Sequence, residues 1–124
     1  LDQRLGLSKL PTTGSAALVE FVPELFARLD ANAALVNALI TSNTGHEMSR
    51  RTGERRLEAI ERSLADETSH LSRAERNRLI GLVRVLTSPM TWHVLHEKTR
   101  VTGDEPARAV TWALRQLIAA TERR

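Results

Sequence analysis

Few residues of this 124-residue chain have types and spacing suited to chemistry. Trp92, His93 and His96 sit within one helical turn of each other. His93 and His96 could share a metal ion, but two imidazoles fall short of the three or four ligands that a zinc site uses, and no third histidine or carboxylate cluster accompanies them. They also suit polar positions in a mostly apolar pocket, or plain solvent-facing sites. Asp66, Ser69 and His70 carry the residue types of a hydrolytic triad. Their clustering in a turn is better explained by a serine cap. No HExxH, GxSxG, P-loop or GxGxxG pattern occurs, so no catalytic set, metal or cofactor is expected. Phe21 and Phe26 are the only phenylalanines. With Met90 they suit the core or the wall of an apolar pocket, and Asn37 could face solvent or aim a hydrogen bond at a ligand.

Composition sets the frame. Cysteine is absent, which removes disulfides and thiolate chemistry and suits a reducing cytoplasm. The net charge is +3 and the pI is near 10.5. Basic charge can mark a nucleic-acid surface. Here Arg50, Arg51, Arg55, Arg56 and Arg62 are interleaved with Glu47, Glu54, Glu58 and Glu61. Glu47–Arg51 and Glu58–Arg62 stand at i,i+4, which reads as a solvated helix face. The best apolar run, Ala33 to Ile40, is too short to cross a bilayer, so no membrane partner is expected. Leu1 to Leu10 is broken by Asp2, Arg4 and Lys9 and does not read as a signal peptide.

The elements that would position these residues are all helical. Apolar spacing follows a helical period throughout, and nowhere the alternation of a strand. The fold class is an all-α bundle of about five or six helices in one domain over residues 1–124. Leu1 to Leu7 reads as the tail of an earlier helix. Leu18, Phe21, Val22, Leu25, Phe26 and Leu29 form one stripe, with Pro23 inside it as a kink or a fresh start. Asp30 and Asn32 offer caps to a short stripe of Leu35, Val36, Leu39 and Ile40. Thr41 to Gly45 reads as a loop before a polar helix over Glu47 to Glu67, whose thin apolar face is Met48, Leu57, Ile60 and Leu64. Ser72 and Glu75 have capping-box spacing. Ser88-Pro89 breaks and restarts the helix, serine as cap and proline in the first turn. Thr102 and Glu105 repeat the capping spacing before a last helix over Asp104 to Thr121.

Two helices show more apolar surface than one small core needs, which marks an association surface. The candidate interface is Leu79, Leu82, Val83 and Leu86 on one helix, with Ala109, Trp112, Ala113, Gln116, Leu117 and Ala120 on the last. Paired across a two-fold axis, these would make a four-helix bundle and a homodimer.

The stretch Leu82-Val83-Arg84-Val85-Leu86-Thr87-Ser88-Pro89-Met90-Thr91-Trp92, with Glu105, Ala107 and Ala109-Val110-Thr111-Trp112-Ala113-Leu114, resembles the C-terminal domain of tetracycline-repressor-type (TetR-family) transcriptional regulators. Glu20 to Leu29 resembles the helix after the linking helix of such proteins. The resemblance implies a cytoplasmic dimer built on the last two long helices and a pocket for a small, largely apolar effector. It also implies a helix-turn-helix head whose operator DNA is released when the effector binds, as in a repressor. The pocket residues it would draw on are Phe21, Phe26, Asn37, Met90, Trp92, His93 and His96. No stretch of this chain resembles that head, and tyrosine is absent. The head is therefore expected in front of Leu1, and this chain is expected to be no enzyme. The alternative is a headless, dimerising helical scaffold without a small-molecule ligand.

Overall fold

The computed structural model describes residues 10–122, with residues 43–51 described by their backbone alone. The expected helix tail over Leu1 to Leu7, the Glu47–Arg51 pair, and the side chains of Met48 and Arg50 lie outside the described residues. Among the described residues seven helices follow one another: α1 (Ser15–Ala31), α2 (Ala33–Thr41), α3 (Asn43–Ser63), α4 (Ala65–Thr68), α5 (Arg73–Leu86), α6 (Pro89–Lys98) and α7 (Glu105–Glu122). No strand occurs among the described residues. Among them, no helix is long and apolar enough to cross a membrane.

Helix α1 organises the bundle. Leu18, Val22, Leu25, Phe26 and Leu29 are all buried, as the stripe predicts. Pro23 causes no restart: α1 runs through it, and its ring sits on the exposed side of the helix. The helix still loses one main-chain bond there, since proline has no N–H. The principal partner of α1 is α7. Ser15, Ala16 and Val19 line one groove with Ile118, Ala119 and Glu122, while Phe26, Ala27 and Asp30 line another with Asp104, Pro106 and Ala107. The two helices are therefore antiparallel. Ile60 of α3, Leu64 at the break before α4, Val83 of α5, and Val110 and Leu114 of α7 complete a core in which each is at most 2% exposed.

Local chemistry sets the breaks. The capping box at α5 is present in full: Glu75 N–H donates to Ser72 Oγ at 3.2 Å, and Ser72 N–H donates to Glu75 Oε1 at 3.1 Å. Ser88 caps α6 by accepting from Thr91 N–H at 3.3 Å, with Pro89 in the first turn. Before α7, Glu105 N–H donates to the main-chain carbonyl of Thr102 at 3.1 Å, beside Gly103 at φ 65°. The expected loop over Thr41 to Gly45 is absent. Only Ser42 is extended, and α3 begins at Asn43. Glycine at 45 disfavours a helix by about 1 kcal/mol, and the packing of α2 on α3 outweighs that. The polar helix ends at Ser63, four residues short of the expected Glu67, and a single turn, α4, covers the remainder.

Two expectations about surfaces need correction. Leu79 and Val83 were candidates for a dimer interface, but they are 6% and 0% exposed within one chain. Leu86 and Leu117 are half-buried and pack against the same core. The inner side of α5 is used by its own bundle, and the apolar residues left outside are Leu82 and Val85. Arg56, read as part of a solvated face, is 6% exposed. It falls at helical spacing with Ala59, Ile60 and Ser63, all buried, so it shares their inward face.

Candidate ligand cleft between α1 and α7

An open cleft of about 380 Å³ lies between α1, the Gly103 turn and α7. That volume is within the usual range for small-molecule sites, roughly 300–1,000 Å³. Its walls are mostly apolar: Pro23, Phe26 and Ala27 on one side, Pro106, Ala107 and Trp112 on the other. Its polar groups are Asp30 of α1, His96 of α6, Asp104 just before α7, and Arg108, Thr111, Arg115 and Gln116 of α7.

One end of the cleft is tied together by hydrogen bonds. The Trp92 indole Nε1–H donates to Asp30 Oδ1 at 2.8 Å. His96 Nδ1–H donates to the Trp92 carbonyl at 2.9 Å, and its Nε2 faces Asp30 Oδ1 at 3.4 Å. The imidazole lies 4.9 Å from the indole, centroid to centroid. Asp30 is thus the acceptor that holds α6 against α1, and not the cap suggested by its position. Asn32 likewise makes no side-chain cap, and its amide donates to the Arg28 carbonyl at 2.8 Å.

The pocket residues expected from sequence separate into groups. Phe26 and His96 line the cleft, and Trp92 is buried behind His96. His93 Nδ1–H donates to Asn37 Oδ1 at 2.8 Å, which joins α6 to α2 and uses the polar group of Asn37 inside the protein. Phe21 is half-buried with the Arg28 guanidinium 5.7 Å from its ring centre. Met90 is 48% exposed at the start of α6. Phe21, Asn37, Met90 and His93 are not among the residues lining this cleft. Asp66, Ser69 and His70 make no triad: Ser69 Oγ–H donates to the Asp66 main-chain carbonyl, and His70 Nε2–H donates to the Thr121 carbonyl. Among the described residues, no group of three or more histidine, aspartate or glutamate side chains is placed to hold a metal ion.

Two adjacent strips of α7 lie beside the cleft. At about 3.6 residues per turn, Ala109, Ala113, Gln116 and Ala120 fall on one strip, and Arg108, Thr111 and Arg115 on the next. Trp112, 65% exposed, stands on the border. The first strip holds most of the candidate dimer residues of this helix. Gln116 and Ala120 are exposed, and Ala109 and Ala113 are half-buried. The second strip, together with Trp112 and Gln116, forms a wall of the cleft.

Sequence reading missed two functional candidates in this cleft. Thr111 is 9% exposed and its Oγ1 has no hydrogen-bond partner among the described residues. Arg115 forms no ion pair among them, although Glu20 and Glu122 line the adjoining groove with it. The signal for Thr111 was a hydroxyl between the apolar positions Val110 and Leu114. The signal for Arg115 was its place one turn beyond Trp112. A search of family models, curated proteins and solved structures finds no match to this chain.

Proposed function

We propose that this domain is the effector-sensing and dimerisation part of a TetR-type transcriptional regulator. One observation carries the sensing half of that reading. Asp30 and His96 line the cleft, and the same two residues contact Trp92, just beyond the Ser88-Pro89 break. A ligand in the cleft would therefore bear on the attachment of α6 to α1. It would shift the domain between arrangements to the extent that it binds one better than the other. Self-association is supported by the small-residue strip of α7 and the outward Leu82 and Val85 of α5. Operator DNA would be bound through a helix-turn-helix head N-terminal to these residues, in the cytoplasm. A repressor relieved by its ligand is the form the sequence resemblance supports.

Sedimentation velocity at micromolar concentration tests this reading. The expected result is a dimer that Ala113→Glu weakens. A wild-type monomer at that concentration overturns it. Ala113→Glu is the cleaner variant, because Leu117 also packs into its own core and a charge there would unfold the chain.

A helical scaffold that dimerises without a ligand is the second reading. It is favoured by the tight interior, where Phe26 is 2% and Trp92 is 3% exposed. Small-molecule titrations of the cleft separate the two.

A further inference from the structure

The hydrogen-bonding and charged groups of the α1–α7 cleft divide into those already engaged and those left over. Asp30 is held by Trp92 and faces His96. His96 donates to the Trp92 carbonyl. Arg108 pairs with Asp104 at 3.2 Å and with Glu105 at 3.6 Å. The acidic groups of the cleft thus have partners, and so does one of its two arginines. Three groups remain: the Arg115 guanidinium, the Gln116 amide and the Thr111 hydroxyl. Arg115 and Gln116 are exposed at the same end of the cleft, away from Asp30 and Asp104. Thr111 lines the cleft with its hydroxyl buried and unpaired. Beside them, the exposed Trp112 indole offers a flat apolar surface, and Pro23 and Ala27 face it from α1.

We propose, on the effector-sensing reading above, that this cleft binds a small aromatic carboxylate. Arg115 receives the carboxylate through its two-pronged guanidinium, the geometry that suits a planar anion. Trp112 covers the ring of the ligand, and Thr111 and Gln116 supply the remaining hydrogen bonds. A cationic ligand is disfavoured, because the one charge in the cleft without a partner is positive. A neutral aromatic would gain the apolar walls but leave Arg115 unused.

The test uses three probes of the same shape: naphthalene-2-carboxylate, naphthalene-2-carboxamide and 2-naphthylmethylammonium. Each is titrated into the 15N-labelled chain, and the Trp112 indole N–H signal reports occupancy. The carboxylate is expected to bind at least about tenfold tighter than the amide, a preference that salt weakens because Arg115 is exposed. Arg115→Gln is expected to abolish the preference while leaving amide affinity within about twofold, and Trp112→Ala is expected to weaken both. Equal binding of carboxylate and amide, or a preference that survives Arg115→Gln, overturns the carboxylate assignment and leaves the sensing reading standing. Failure of all three probes to shift the Trp112 signal overturns both.

Discussion

The Trp92 indole N–H and the Asp30 carboxylate meet at 2.8 Å, across 62 residues of chain. Trp92 is 3% exposed, so its N–H depends on that one acceptor. Asp30→Ala removes it and is expected to cost about 1–2 kcal/mol, the range for an orphaned buried donor. Asp30→Asn keeps an oxygen in place and should cost less than half as much. Urea midpoints for the two variants check the order, with a red shift of tryptophan emission expected only for Asp30→Ala.

Arg56 donates from its guanidinium to the Thr87 carbonyl at 3.0 Å and reaches the Arg84 carbonyl at 3.4 Å. It therefore anchors the end of α5 to α3. Burial, and after it the nearby Arg84 guanidinium, lowers the Arg56 pKa to about 10. Arg56→Gln withdraws the donor from a buried carbonyl and is expected to cost about 1–3 kcal/mol.

Leu82 and Val83 are neighbours with opposite fates: 48% and 0% exposed. Val83→Ala leaves a hole in a core closed on all sides and should cost about 2–3 kcal/mol. Leu82→Ser should change monomer stability by less than about 0.5 kcal/mol. If α5 joins the interface, Leu82→Ser instead lowers the dimer fraction in sedimentation, at unchanged thermal stability of the diluted chain.

Ser72→Ala removes the side chain that completes the capping box of α5, at an expected cost of about 1 kcal/mol. Ser88→Ala removes the cap of α6 while Pro89 still favours the helix start, so a smaller loss is expected. Circular dichroism with urea titration measures both.

Where a local signal decided the structure, the sequence was legible. Ser72 and Glu75, Ser88 and Pro89, and the Glu58–Arg62 pair at 2.6 Å all occur as their spacing predicts. The stripe from Leu18 to Leu29 correctly faces the core, although Phe21 on its margin stays half-buried. What could not be read locally was the use of each face. Leu79 and Leu82 have the same side-chain type on one helix, and only the positions of the neighbouring helices decide which is covered. Arg56 looked like its solvated neighbours because arginine is usually exposed, and its inward period was outweighed by its charge. Asp30 and Asn37 were placed on the right elements but given the wrong partners, since those partners come from a helix more than fifty residues away.

The antiparallel pairing of α1 with α7 has a kinetic consequence. It joins the first and last described helices, the elements furthest apart along the chain. Closing so long a loop carries an entropic cost that neighbouring helices do not face, and non-local contacts of this kind slow folding. Helix α1 must keep its apolar stripe covered by α3 or exposed until α7 docks. The cleft exists only while α1 and α7 are docked, so a ligand that occupies it would hold the two ends of the described fold together and stabilise the folded chain by mass action.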